Sequence, residues 1–365
     1  MQTLKISDKN SDAWEQHYFA PEADPVCGYK IHVNLTEHQF QAGKTLLVEE
    51  YSKRRVDFKV CNTQSFCERL NSGNYGVTQI GKAATVYVAT PERLSSEAQF
   101  LQAMLAEFSG PCPPTDLRIP NSGILSYRWE ARNEPQAREI CSGVPLPVFD
   151  PIGGLSAVGN PFLELKKAGI DLIITRCLRQ SSKGAVYEGI AKGVRVKSPA
   201  TFRPVILKEF RKYASKSHLG HDAWDIGRSE IKSYKQLRPL HVTPQLFWEG
   251  TSNESIYLLL ESPAGFVPLQ EFAKNLSTEC LDIICSRVES LIKTIANSDV
   301  RWIDVSPSNI LINNKLEIKA IDFEIISDER GTTYYGLHPV LKEQAPTPRE
   351  LVCLLRRSLE ALIRD

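Results

Sequence analysis

No apolar run in the 365 residues approaches the ~18 that a membrane-spanning helix needs. The first twenty residues carry Lys5, Asp8, Lys9, Asp12 and Glu15 where a secretory signal would have its apolar core. A soluble, cytoplasmic chain is the expectation. Surplus charge is missing as well: 44 Lys plus Arg stand against 43 Asp plus Glu, for a formal net charge of +1. No global basic field therefore draws nucleic acid or an anionic membrane, and phosphate chemistry must come from local clusters. There is no C-x-x-C pair among the nine cysteines, at 27, 61, 67, 112, 141, 177, 280, 285 and 353. An odd, scattered set fits neither a disulfide framework nor a zinc ribbon, and the thiols read as reduced and mostly buried. Internal repeats and low-complexity stretches are absent too. What remains is an ordinary globular composition, with room for two to three domains at about 150 residues each.

The clearest break is residues 141–162 (CSGVPLPVFDPIGGLSAVGNPF), where Gly, Pro and small residues interrupt the periodic patterns on either side. A boundary near 150 gives domains 1–150 and 151–365, with net charges of −3 and +4, an asymmetry too small to name a partner. Before the boundary, residues 28–35, 56–60 and 84–88 read as strands and 36–52 and 95–107 as helices, an interleaved α+β pattern. After it, 172–178, 184–189, 205–210 and 256–261 read as strands, with a helix at 225–237. A helix at 280–298, short strands at 310–312 and 316–321, and a last helix at 348–363 follow.

Chemistry in the second segment is carried by DVSPSN (304–309) and IDFE (321–324). A phosphotransfer loop places an Asp five residues before an Asn, the Asp accepting the substrate hydroxyl proton and the Asn reaching magnesium; a second Asp chelates the metal that bridges the nucleotide phosphates. Asp304, Asn309 and Asp322 fit those places. Upstream, in the required order, come a hairpin SSKGAVY (181–187) with Gly184 and Val186 over the nucleotide, Lys208 in VILK, Glu230 in the next helix to hold that lysine, and Glu261 at the hinge beside the base. Singly, each is an ordinary strand lysine, solvated carboxylate or turn residue. Their joint order carries the reading. Three departures stand out: Trp302-Ile303 replaces the usual His-Arg, so control through an activation-loop phosphate is not expected; Glu324 replaces a Gly; and the hairpin holds one Gly. Only 43 residues follow Asp322, so the second lobe is minimal or the native chain continues.

The first segment offers cations. The strand GYKIHV puts Lys30 and His32 on one face, and VDFKV sets Lys59 between apolar neighbours. Arg69, Lys82, Arg118 and Arg128 follow. Burial and like charge both lower a lysine pKa toward that of a usable base, and the same cations bind a phosphate dianion. A lysine base, a histidine acid and a cationic clamp suit β-elimination of a phosphorylated Ser or Thr; the alternative is that these are solvated strand faces and a structural histidine.

The segments GYKIHVNL, VDFKV, LNS followed by GK, and SYRW resemble the lyase domain of class III lanthionine synthetases, itself related to bacterial phosphothreonine lyases. VILKEFRKY, DVSPSNILIN and AIDFEII resemble the kinase domain of the same synthetases. The resemblance implies a small phosphothreonine-lyase-like domain followed by a minimal two-lobed protein-kinase-like domain. By it, Lys59 is the base and His32 the acid, with Lys30 tuning the site and Arg69, Lys82, Arg118 and Arg128 binding phosphate, Arg69 by the loosest match. Asp304 is the kinase base; Gly184, Val186, Lys208, Glu230 and Glu261 bind ATP or GTP; and Asn309 and Asp322 hold Mg²⁺. The substrate is a precursor peptide with a leader segment. Past Asp322 only His338 and Cys353 remain of the Cys/His that a zinc cyclase would need, so no zinc is expected. Ring closure is left to a separate cyclase, or the product stays a dehydroamino acid, or the chain is a fragment. Two alternatives keep less of this: an effector with both activities that modifies a folded protein, and an inactive peptide-binding scaffold.

Overall fold

The computed structural model describes residues 13–19, 27–131, 152–156, 161–194, 201–214, 221–252, 255–273, 276, 278–323 and 347–364. Glu324 and His338, singled out above, and most of the 141–162 break lie outside these residues. The chain divides into two compact units: Met1–Asn160 with the short segments Ser181–Lys183 and Arg211–Lys216, and the remainder. Both mix helices with antiparallel strands, an α+β architecture.

In the first unit the strands are β1 (Trp14–His17), β2 (Cys27–Asn34), β3 (Phe58–Cys61), β4 (Lys82–Val88), β5 (Leu117–Arg118), β6 (Leu125–Ala131) and β7 (Leu155–Ser156). They form one sheet in the order β1-β3-β4-β2-β6-β5-β7. The helices are α1 (Phe40–Arg54), α2 (Gln64–Asn71) and α3 (Pro91–Met104). Thr63 and Thr90 cap the latter two, each hydroxyl accepting a backbone N–H from the first turn. The apolar residues of the strands, Ile31, Val33, Phe58, Val60, Ala84 and Val86, form one core with Phe40, Leu47, Leu70, Leu94 and Leu101 of the helices. Alternation with a period of two then sends the intervening residues of β2, β3, β4 and β6 to the opposite face. Those residues are polar, and they carry the site.

In the second unit α4 (Pro161–Lys167) precedes β8 (Asp171–Gln180), β9 (Gly184–Lys192) and β10 (Arg203–Arg211). Then come α5 (Ala223–Leu237), β11 (Leu246–Thr251) and β12 (Ser255–Glu261). These strands make a sheet in the order β11-β12-β10-β9-β8, packed around Leu165, Val205, Leu207, Tyr257 and Leu259. A capping box between Asp222 and Asp225 starts α5. β13 (Val267–Pro268), α6 (Leu269–Phe272), α7 (Thr278–Ala296), β14 (Ile310–Ile312), β15 (Ile318–Ala320) and α8 (Pro348–Arg364) complete the unit, with the three strands paired in the order β13-β14-β15. Among the described residues no helix is long and apolar enough to cross a membrane.

The cysteine reading needs correction. Cys27 is disulfide-bonded; Cys61, Cys67 and Cys285 are buried, whereas Cys112 and Cys280 are half-buried and Cys177 and Cys353 exposed.

Candidate active sites

Register brings the cationic residues of the first unit together. Across the sheet, Gln16 pairs with Lys59, Lys59 with Thr85, Thr85 with His32, His32 with Ser126 and Ser126 with Arg118. One ladder row therefore aligns residues from six strands, and partners in a row share a face. The next row holds Tyr87, Lys30 and Arg128. Lys82 joins by a different device. A bulge on β4 lets Val33 pair with Ala84 but Asn34 with Lys82, so Ala83 is the extra residue. That resets the parity, and Lys82 points to the same face as Thr85 and Tyr87. Gly81 sits just before it with φ 79°, where a Cβ would lie 1.9 Å from the carbonyl oxygen of Pro111. Only glycine fits there.

Lys30, His32, Lys59, Lys82, Thr85 and Arg128 line a cavity of about 120 Å³, with Trp14 and Glu130 at its wall. That space is enough to take a phosphoryl group. The Lys59 ammonium lies 4.4 Å from the Trp14 ring centroid, and desolvation together with the charge of Lys30 brings its pKa down to about 8. Desolvation also lowers Lys82 to about 8, against the pull of Asp116.

Asp116 was not singled out from the sequence. Its side chain is fully buried, its Oδ2 lies 2.5 Å from Nδ1 of His32 and accepts from Ser126 Oγ at 3.1 Å, and its Oδ1 is 3.4 Å from Lys82 Nζ. Burial opposes its charge, but His32, Lys82 and Arg128 outweigh burial and hold the carboxyl far below its usual range. With Nδ1 committed to Asp116, His32 offers Nε2 to the cavity. Desolvation brings the imidazole pKa down to about 4 in spite of Asp116, which favours the neutral ring. Asp116 precedes a strand of two residues, too short for periodicity to flag, and Trp14 lies on a four-residue edge strand; neither leaves a signal in the sequence.

Two expected phosphate ligands are placed elsewhere. Arg69, in the last turn of α2, lies about 6 Å from the rings of Phe66 and Tyr75. Arg118 donates to the carbonyl of Ser122 at 2.8 Å. Neither lines the cavity.

In the second unit Lys208 Nζ donates to both carboxylate oxygens of Glu230, at 2.7 and 3.0 Å, and to Asp322 Oδ1 at 2.9 Å. The Glu230 side chain is fully buried beneath that ammonium. Asp322 adopts φ 67°, a left-handed conformation Asp tolerates at modest strain. Three residues around it are held in turn. Trp302 Nε1 donates to the Ile321 carbonyl at 3.1 Å; Phe323 meets Tyr234 of α5 edge-to-face at 5.3 Å and Trp302 at 6.2 Å. Asn309 donates to the Asp304 carboxylate at 2.9 Å, and its carbonyl accepts from Ile321 N–H at 3.0 Å, joining the two loops. Asp304 itself is exposed.

Val186 stands opposite Lys208 in the β9–β10 register. Gly184 has a local reason to be glycine: a Cβ there would lie 1.7 Å from the carbonyl oxygen of Glu209. Glu261 ends β12 with its carboxylate 3.4 Å from the Gln245 N–H. No group of three or more Cys, His, Asp or Glu among the described residues forms a metal-binding cluster. The donors at Asp322 and Asn309 are nevertheless hard oxygens, which suit Mg²⁺ shared with phosphate oxygens in place of an all-protein cage.

Residues 3–154 match the family model described as RamC, N-terminal domain, a match consistent with a lanthipeptide-synthetase-related family. No curated protein matches the chain.

Proposed function

We propose that the chain is a two-step peptide dehydratase: the second unit phosphorylates Ser or Thr of a ribosomal precursor peptide, and the first eliminates the phosphate to leave dehydroalanine or dehydrobutyrine. The observation that carries the reading is the ladder row joining Lys59 and His32 through Thr85, with Asp116 behind the imidazole and Lys30, Lys82 and Arg128 around a cavity of phosphoryl size. The match of residues 3–154 to the RamC N-terminal domain supports it.

Elimination needs a base at the α-carbon and an acid at the leaving oxygen. Neutral Lys59 Nζ takes the α proton, the C–H electrons form the Cα=Cβ bond, the Cβ–O bond breaks, and His32 gives its Nε2 proton to the departing phosphate. Lys82 has a similar pKa, but Asp116 holds its ammonium, which makes Lys59 the base and Lys82 a phosphate ligand. The substrate dianion favours the charged imidazole, so His32 Nε2 takes up a proton from solvent as the phosphopeptide binds, and Asp116 stabilises the imidazolium that results. Lys30, Lys82 and Arg128 balance the phosphate and the enolate-like charge developing on the peptide carbonyl.

In the phosphorylating half, Lys208 positions the α and β phosphates of ATP or GTP, and Glu230 orients Lys208. Asp304 accepts the proton of the Ser or Thr hydroxyl, and Asn309 and Asp322 are the residues that would hold Mg²⁺, which would supply neutralisation of phosphoryl charge. Val186, Gly184 and Glu261 complete the nucleotide cleft. The fused second site sees each phosphopeptide at raised effective concentration. A separate cyclase would take the product on.

The test is mass spectrometry of a Ser/Thr-rich precursor peptide incubated with the enzyme, ATP and Mg²⁺. Wild type removes one water per modified residue, Lys59→Ala stops at the phosphopeptide, and Asp322→Asn leaves the peptide unchanged. Dehydrated product from Lys59→Ala would remove Lys59 from its role.

A further inference from the structure

Two carboxylates stand among the cations of the elimination site, and they are held differently. Asp116 is sealed by His32, Ser126 and Lys82. Glu130 lies two residues after Arg128 on β6, hence on the same face, and its ladder partner is Gly28, which presents no side chain beside it. Its Oε2 accepts from Lys30 Nζ at 3.1 Å and is also paired with Arg128 Nη2. The Glu130 side chain is 29% exposed where that of Lys30 is 8% exposed, so the carboxylate has a way out toward solvent and the ammonium does not. Burial works against the Glu130 charge, but Lys30 and Arg128 outweigh it and keep the carboxyl below its usual range. An ionised carboxylate that bridges two donors competes with any other anion for them, because a donor N–H directed at one oxygen is lost to the next.

We propose that Glu130 is an internal anion that occupies Lys30 and Arg128 when the site is empty, yields them to the substrate phosphate, and reclaims them after elimination so that inorganic phosphate leaves. The inference rests on the lyase reading above and adds to it the control of product release. A dianion displaces the monoanion on entry because it offers more charge to the same two cations. Once the Cβ–O bond has broken, phosphate is no longer tethered to a peptide, and the covalently attached carboxylate has the advantage. Glu130 touches no reacting atom in this account; it sets how long the cations stay with phosphate.

The test uses the full chain with Glu130→Gln and Glu130→Asp. Binding of inorganic phosphate is read by calorimetry, and elimination from a synthetic phosphoserine peptide is read with and without added phosphate. Glu130→Gln, which keeps shape and removes charge, is expected to bind phosphate about tenfold more tightly, to lower KM for the phosphopeptide, to lower kcat through slow release, and to be inhibited by about tenfold less added phosphate. Glu130→Asp keeps the charge and withdraws it by one methylene, so it preserves folding if the Gln variant does not, and it tightens phosphate binding severalfold. Phosphate affinity in Glu130→Asp no greater than in wild type, or a raised KM with weaker phosphate binding in Glu130→Gln, overturns the proposal. A wild type that eliminates nothing while both variants still tighten phosphate binding would sink the lyase reading and leave the anion competition standing.

Discussion

Replacing Asp116 with Asn separates the charge of this residue from its shape. The amide oxygen can still accept the Nδ1–H of His32, but the negative charge 2.5 Å from that nitrogen and 3.4 Å from Lys82 Nζ disappears. All three side chains are at most 3% exposed, so solvent does little to replace it. Breaking a buried ion pair from one side costs about 3–5 kcal/mol, and the surviving hydrogen bond places this variant near the lower end. At about 2–4 °C per kcal/mol for a unit of this size, melting of the first unit should fall by roughly 6–12 °C. Catalysis loses more, because the imidazolium that delivers the proton now faces a neutral amide. A further ~3–4 kcal/mol in the barrier lowers elimination by roughly 10²–10³-fold. The assay is release of inorganic phosphate from a phosphoserine peptide below the melting range, alongside phosphorylation of an unmodified peptide, which should not change. Elimination within about threefold of wild type would refute the reasoning and reduce Asp116 to a packing residue.

Two more outcomes follow from the geometry. The elimination rate, as kcat/KM, should rise with pH through an apparent value near 8, since Lys59 acts as a base only once its ammonium has lost the proton; Lys82 lies at about 8 as well, so the rise belongs to the coupled pair. Lys30→Met removes the like charge that weighs most on Lys59 and should move that midpoint upward, which a pH–rate profile checks; an unmoved midpoint would point away from Lys59. Trp302→Phe deletes the bond to the Ile321 carbonyl and shrinks the support of Phe323, so Asp322 is less well held. Peptide phosphorylation should fall about tenfold, the worth of a buried carbonyl left unpaired, while elimination from a ready-made phosphopeptide stays as it was; radiolabel transfer and phosphate release read the two separately.

Much of this was legible because it is local. Lys30 and His32 sit two apart on one strand, and a period of two puts them on one face wherever the strand lies. The pairing of Lys208 with Glu230 was readable from a lysine in a strand and a glutamate in the next helix. What could not be read is non-local. The strand order sets β3 two places from β2 with β4 between, so Thr85 links Lys59 to His32, and nothing in the order of residues says so. The bulge that turns Lys82 toward the cavity breaks the alternation on which sequence reading depends. Asp116 and Glu130 escaped for a related reason: a sequence rich in carboxylates does not show which two face cations. Arg69 and Arg118 were chosen by charge and resemblance, and their guanidinium groups turn to aromatic rings and a carbonyl instead.

The central claim is that the first unit eliminates phosphate by itself, and it can be tested without the kinase step. A synthetic peptide carrying phosphoserine is incubated with the chain in the absence of nucleotide and followed by mass spectrometry and phosphate release. The account predicts stoichiometric inorganic phosphate and a peptide bearing dehydroalanine, with Lys59→Ala inert. A peptide that keeps its phosphate, or that returns as unmodified serine through hydrolysis, would contradict it.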